Sequence, residues 1–220
     1  MSYRFLVLLH ILLLVYWLGA DLGVLLLARQ ARRRDLSLPE RGFALRMALT
    51  IDFLPRIAFA TMFPVGLALT DLGGFAAIPA WAHAASWGAA CGWIALIVAL
   101  ARSGTGDRAV SLNRAHLAVQ GAALLVLGVV GLQSVMGSGP FPSGWLAWKV
   151  VLFAAIFGLG IGIDYAFRPV GPAFASIASE GSNERNEAAV TRGIDGAIRY
   201  VLILYALLIA SALLGVVKPF

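Results

Sequence analysis

Apolar residues along this chain fall into six long runs, separated by short polar or Gly- and Pro-containing segments. Each run is long enough, at ~1.5 Å per residue, to cross the ~30 Å hydrocarbon core of a bilayer as an α-helix. The pattern therefore predicts an all-α polytopic membrane protein, a six-transmembrane-helix bundle forming a single integral membrane domain. The predicted spans are 5–28, 51–72, 80–101, 112–136, 145–167 and 199–217.

Positive charge alternates between the segments that connect these runs. The second connection (73–79) and the fourth (137–144) carry no charged residue. Because basic short loops stay on the cytoplasmic side, the odd connections are predicted to face the cytoplasm, with both termini outside. The arginines of the first, third and fifth connections are Arg29, Arg32, Arg33, Arg34, Arg41 and Arg46; Arg102, Arg108 and Arg114; and Arg168, Arg185, Arg192 and Arg199.

Room for structure outside the bilayer exists mainly in the fifth connection, the cytoplasmic loop 168–198. At the start of this loop, Pro169 breaks the fifth helix. Residues 188–199 then form a helical run that leads into the last span. The first connection, which contains Pro39, is a similar but shorter excursion.

Composition narrows the function classes. The chain is 60% hydrophobic and 13% charged, and its net charge of +6 is spread over three connections, which fits topology and the lipid bilayer rather than nucleic acid. A single cysteine, Cys91, excludes an intramolecular disulfide. The sequence contains no Gly-rich phosphate loop and no soluble region, which disfavours a nucleotide-dependent or hydrolytic enzyme.

Three ionisable side chains form a layer ~10 Å outside the midplane, when depth is counted along each span. They are His10, His83 and Lys149. Ionisable groups inside a membrane are costly and usually face a bundle interior. Trp17 lies on the same face of the first span as His10, so we expect three helices to present these groups to a shared outer cavity. The predicted inward faces of spans three and five are His83, Trp87 and Cys91, and Lys149, Phe153, Phe157 and Gly160.

A second layer of polar groups lies in the cytoplasmic half. Asp21 and Arg56 fall at the same depth and are predicted to pair. His116 is predicted to hydrogen-bond Gln120 and a neighbouring helix. Opposite charges at i, i+4 share a helix face, which favours structural ion pairs. The predicted pairs with that spacing are Asp52 with Arg56, Asp164 with Arg168, and Asp195 with Arg199.

Two ligands are compatible with the outer layer. Haem b needs axial histidine, an apolar slot and cations for its propionates. His10 and His83 could supply the iron ligands, and Lys149 a cation for a propionate. Copper, the alternative with His10 and His83 as ligands, would favour Met or Cys along its route, and the four methionines are not clustered. The tryptophans predicted near this layer are Trp17, Trp81, Trp87, Trp145 and Trp148.

The first span resembles the opening helix of two related families. His10 follows Leu9, Trp17 comes seven residues later, and Gly19 follows. This arrangement resembles CopD-type copper-resistance membrane proteins and HemJ-type protoporphyrinogen oxidases. Residues 145–153 through Arg168 and Pro169 are similar to the lysine-containing CopD helix, and the terminal residues 217–220 are similar to those of HemJ-type proteins.

The resemblance implies functions for two positions. His10 takes the place of the first-helix histidine associated with haem or metal, and Lys149 that of the functionally important helix lysine. It also implies, with the charge pattern, a bacterial inner membrane.

Three hypotheses follow. The first is a haem b redox protein, hence a haem-dependent membrane oxidoreductase, which passes electrons to a quinone or a partner subunit. The second is copper uptake or copper resistance. The third is a cofactor-free structural or assembly subunit of a membrane complex or oligomer.

Overall fold

The computed structural model describes residues 2–104 and 106–219, and in this part of the chain all regular structure is α-helical. The eight helices are α1 (Tyr3–Ala31), α2 (Leu38–Ile51), α3 (Phe53–Leu72), α4 (Ala80–Arg102), α5 (Asp107–Val135), α6 (Gly144–Phe167), α7 (Val170–Glu180) and α8 (Glu184–Val217).

Six helical units are long and apolar enough to span a membrane. They are α1, α2 with α3, α4, α5, α6 with α7, and α8. Many large apolar side chains are exposed on the outside of the bundle, as expected where lipid rather than water is the solvent. The protein is therefore a multi-pass membrane protein, and the prediction of an all-α six-helix bundle is confirmed.

Both excursions predicted from the sequence contain a helix. In the first, Ser37 precedes α2, and the Glu40 carboxylate accepts a hydrogen bond from the Ser37 backbone N–H at 2.8 Å, half of a capping box. In the fifth connection α6 ends at Phe167 and α7 begins after Pro169. The helical run 188–199 is part of α8, which begins at Glu184, fifteen residues before the predicted span.

The spanning helices form an incomplete ring. α1 packs on α3, α3 on α4, α4 on α5, α5 on α6, and α6 on α8. The ring closes through only a few contacts between α1 and α8, a boundary we call the α1–α8 seam. We call the arginine-rich side the basic end, predicted to be cytoplasmic, and the side with the charge-free connections the neutral end.

At the basic end, α2 and α7 pack against the ends of α1 and α8 through a cluster that includes Ala31, Val170 and Val190. A buried ion pair crosses this cluster: both Arg41 Nη atoms donate to the Glu187 carboxylate at 2.8 Å. Arg41 Nε also donates to the Ala31 carbonyl at 2.9 Å. Both side chains are almost fully buried, and the guanidinium makes two hydrogen bonds to the carboxylate. This pair therefore fixes the two excursions to each other.

Candidate functional site

The outer cavity, with a volume of about 310 Å³, lies toward the neutral end between α1, α3, α6 and α8. Most of its wall is apolar or aromatic, including Phe63, Trp145 and Phe153. Its basic side chains are His10, Lys149 and Lys218. The outer cavity therefore combines an apolar interior with one imidazole and two amines.

His10 reaches the cavity from α1 opposite a glycine of α3. A Cβ at Gly66 would lie 3.5 Å from His10 Cε1, so a larger residue there would compete with the imidazole for space. The Nδ1 atom of His10 is buried and has no hydrogen-bond partner within the described residues. A buried ring nitrogen without a partner is uncommon in native structures and marks the ring as a candidate ligand-binding group.

The two lysines lie near the α8 side of the outer cavity. A Cβ at Gly215 would lie 2.5 Å from Lys149 Nζ, so this glycine leaves the space that the ammonium group occupies. Lys218 Nζ lies over the Phe75 and Trp145 rings, 4.3 and 5.5 Å from their centroids. In the described part of the chain, neither lysine has a carboxylate within 4 Å. The outer cavity therefore carries positive charge that no carboxylate of the described residues balances.

The structure does not bring His83 to His10. His83 Nε2 lies 3.1 Å from the Asp71 carboxylate, across the turn that joins α3 to α4, and His83 lines neither cavity. The predicted inward face of α4 is wrong, because Trp87 and Cys91 on that face are exposed and α4 instead buries Ala90, Trp93 and Ile97. The predicted pairing of the two histidines is therefore not found.

The predicted tryptophans also separate. Trp145 lines the outer cavity, whereas Trp81 and Trp148 are exposed on the bundle surface. Trp17 shares a face with His10 but lies about two turns closer to the basic end, where it lines a second cavity and stacks on Phe59 with ring centroids 4.6 Å apart. It does not contribute to the wall of the outer cavity.

The inner cavity, about 160 Å³, lies toward the basic end and extends along α1 from Trp17 to Ala28. Unlike the outer cavity, it contains a network of polar groups from four helices, α1, α3, α5 and α6, and from the junction of α2 with α3. These groups are Asp21, Asp52, Arg56, His116, Gln120 and Asp164.

Arg56 contacts two carboxylates of this network. Its Nε donates to the Asp52 carboxylate at 2.6 Å, and its Nη2 lies 3.8 Å from Asp164 Oδ1. The i, i+4 pair of Asp52 with Arg56 is thus confirmed. The other predicted pairs are not found: Asp21 has no ion-pair partner within 4 Å in the described chain, and Arg168 stacks over Tyr165. Asp195 pairs with Arg32 of α1 rather than with Arg199.

His116 connects this charged group to the aromatic core. The Trp93 indole N–H donates to His116 Nδ1 at 3.1 Å, and His116 Nε2 lies 2.9 Å from Gln120 Nε2. His116 Nε2 lies 3.4 Å from Asp164 Oδ2, to which Gln120 Nε2 also donates at 2.9 Å. The prediction that His116 contacts Gln120 and a neighbouring helix is confirmed.

A layer of aromatic rings lies between the two cavities. Phe59 packs against Trp17, Trp93 and Phe157 with centroid distances of 4.6, 5.1 and 4.5 Å, and against Phe153 at 5.5 Å. On α1, α3 and α6 these rings lie between the polar residues of the two cavities. The aromatic layer therefore keeps the two polar sites apart.

Few residues could hold a cofactor. Among the described residues there is no group of three or more His, Cys, Asp or Glu side chains placed to hold a metal ion. In the outer cavity, His10 and Met62 are the side chains of the kind that ligate haem iron or copper, and Lys149 and Lys218 could pair with acidic groups of a ligand.

No family model, curated protein or solved structure matches this chain. The resemblance of spans one, five and six to CopD-type and HemJ-type proteins therefore stays an expectation. The function has to be inferred from the two cavities and the groups that line them.

Proposed function

We propose that this membrane protein binds haem b in the outer cavity and serves in electron transfer. One observation carries the proposal: an apolar cavity holds an imidazole with an unpartnered nitrogen and two lysines without a carboxylate partner in the described chain. An unbalanced ammonium group at membrane depth is costly, and an anionic ligand would remove that cost.

The size and wall of the cavity support a flat, apolar ligand with acidic groups. A volume of about 310 Å³ is at the lower end of the range of roughly 300–1,000 Å³ typical of ligand pockets. Phe63, Phe153 and Trp145 supply aromatic walls. The sparse α1–α8 seam borders the cavity, so α1 can move away from α8 without breaking a large interface.

His10 would supply, from α1, the imidazole that holds the haem iron. Lys149 and Lys218 would pair with the two propionates, which is the role expected of Lys149 from the sequence. The aromatic layer would exclude water from the inner side of the site. When bound, haem supplies one-electron chemistry, and the protein contributes position, charge balance and an apolar surround.

The structure favours a different second ligand from the one predicted. His83 is held against Asp71 outside the cavity. Met62 lines the cavity one helical turn from Gly66, the residue that faces His10. Histidine with methionine is an established axial pair for haem, so we propose Met62 as the second donor.

Copper is the second candidate, favoured by the same pair. Cuprous ion prefers soft ligands, and the thioether of Met62 with the His10 imidazole supplies one soft and one intermediate donor. The unbalanced lysines disfavour it, because they would repel a cation from the same cavity.

Visible absorption spectra of the purified protein, oxidised and dithionite-reduced, test the proposal together with metal analysis of the same sample. We expect a reduced α-band in the wild-type protein and in His83→Ala, the matched control outside the cavity. We expect its loss in His10→Ala and a shifted band in Met62→Leu.

A full haem content in His10→Ala would overturn the assignment of the ligand. A featureless wild-type spectrum after growth with added haem precursor would overturn haem binding itself. The copper content would then decide between copper handling and a cofactor-free structural or assembly subunit. In the haem case, the electron partner would be a quinone or a partner subunit, and the expected location is a bacterial inner membrane.

A further inference from the structure

The inner cavity holds more negative than positive charge. The three carboxyls Asp21, Asp52 and Asp164 face one guanidinium, that of Arg56, and one imidazole, that of His116. With all three carboxyls ionised, the site would have an excess of negative charge in a part of the protein surrounded by lipid. Such an excess is costly unless a cation or a proton is bound.

Two of the three carboxylates have partners and one does not. Asp52 accepts from Arg56, and Asp164 contacts Gln120, His116 and Arg56. Asp21 forms no hydrogen bond or ion pair within the described residues, although it lines the same cavity. Arg56 is already shared by the other two carboxylates, so Asp21 is the group whose charge remains unbalanced.

α8 brings a tyrosine, Tyr205, close to Asp21. The Tyr205 hydroxyl lies beside Asp21 without meeting the geometry of a hydrogen bond, and its oxygen is buried and has no partner. A protonated carboxyl and a phenol can hydrogen-bond after a small side-chain rotation, and neither then carries charge. The phenol can also donate to an ionised carboxylate, so Tyr205 can serve Asp21 in either protonation state.

We infer that Asp21 is a proton-binding site: its carboxyl is protonated at rest and releases the proton reversibly to water in the inner cavity. The described residues contain no three-ligand metal site, which favours a proton over a metal ion. A cavity of about 160 Å³ with six polar side chains in its wall is large enough for several waters, and its lining extends toward the basic end. Release creates a third carboxylate near Arg56, in competition with Asp52 and Asp164.

This inference does not depend on haem or copper binding, because the aromatic layer separates Asp21 from the outer cavity. It adds to the protein a proton exchange site on the side predicted to be cytoplasmic. The titratable and charged groups that face Asp21 are Asp52 and Arg56 from the α2–α3 unit, His116 from α5, Asp164 from α6 and Tyr205 from α8.

Infrared spectroscopy and carbodiimide labelling of the intact protein in detergent test the inference. A protonated carboxyl gives a C=O stretching band that shifts in D₂O, and we expect this band to be lost in Asp21→Asn and retained in Asp52→Asn. Dicyclohexylcarbodiimide reacts with protonated carboxyls in apolar surroundings. We expect mass spectrometry to find the adduct on Asp21, several-fold above Asp52 and Asp164.

Stability gives a second readout. Asn mimics a protonated Asp, so Asp21→Asn should retain the wild-type thermal stability, whereas Asp52→Asn should lower it by breaking the contact with Arg56. Labelling of Asp21 no stronger than that of the other two, or equal destabilisation by both variants, would show that Asp21 is ionised and overturn the inference. Protection of Asp21 by Na⁺ at constant pH would overturn it in favour of a sodium site.

Discussion

In the inner cavity Arg56 lies between Asp52 and Asp164, whereas in the outer cavity Lys149 has no carboxylate within 4 Å in the described structure. Both cavities place charged groups at membrane depth, where an uncompensated charge is expensive. In the inner cavity, opposite charges of the protein largely compensate one another. In the outer cavity, the charge of Lys149 is not compensated within the described structure. This difference separates groups that hold the bundle together from groups available to a ligand.

Removal of Arg56 should have the largest effect on this contrast. Arg56→Ala leaves Asp52 and Asp164 buried without a cation, which typically costs about 3–5 kcal/mol. We expect the variant to lose most of its folded, monodisperse fraction in size-exclusion chromatography after mild heating.

The triple variant Arg56→Met with Asp52→Asn and Asp164→Asn is the matched control, because it removes the charges together and should recover much of that loss. Wild-type behaviour of Arg56→Ala would show that the inner charges do not stabilise the bundle.

Substitutions of His116 and His10 test the same contrast, and we expect effects on stability of intermediate size. His116→Leu removes the acceptor of the Trp93 indole and should lower the free energy of unfolding by about 1–3 kcal/mol. His10→Leu removes a ring nitrogen that has no partner and should leave the stability of the ligand-free protein unchanged. Thermal denaturation of ligand-free samples, followed by tryptophan fluorescence, measures both; equal losses would contradict the distinction between the cavities.

The smallest expected effect is a gain in stability. Lys149→Met removes an unpaired ammonium group from an apolar wall and should stabilise the ligand-free protein by roughly 1 kcal/mol, while weakening ligand binding. Lys218→Met, at the end of α8, is the control and should change stability less. A destabilised Lys149→Met would mean that the lysine already has a stabilising partner in the empty site.

Hydrophobic patterning predicted the architecture because a helix that crosses lipid must be long and apolar along its whole length. The same pattern could not fix where α8 begins, since the polar segment Glu184–Arg199 remains helical by packing against α1, α2 and α7 rather than by contact with lipid. Pro169 did mark the end of α6 correctly, because proline cannot continue the hydrogen-bond pattern of a helix.

Side-chain partners were harder to predict, because spacing along one helix says nothing of the neighbouring helices. Asp52 and Arg56 pair as the i, i+4 rule predicts. Asp164 has the same spacing to Arg168 but instead contacts His116 and Gln120 of α5, which the ring arrangement of helices brings next to it.

The outer cavity shows the same limit. His10 and Lys149 share it as predicted from their depth. His83 has the right depth but the wrong direction, since α4 faces the core with Trp93 and Ile97. Met62 and Lys218 were missed because each is an isolated residue in the sequence, and only the packing of α3 and α8 beside α1 places them at the cavity.

The ion pair between Arg41 and Glu187 joins residues that are 146 positions apart in the chain. The chain is synthesised from the N-terminus onward, so Arg41 is present long before its partner exists. Until the last helix is inserted, both cavities are open to lipid on one side. Completion of the bundle is therefore a late event in biosynthesis, and a chain cut short before Glu187 would expose unpaired charge that cellular quality control can recognise.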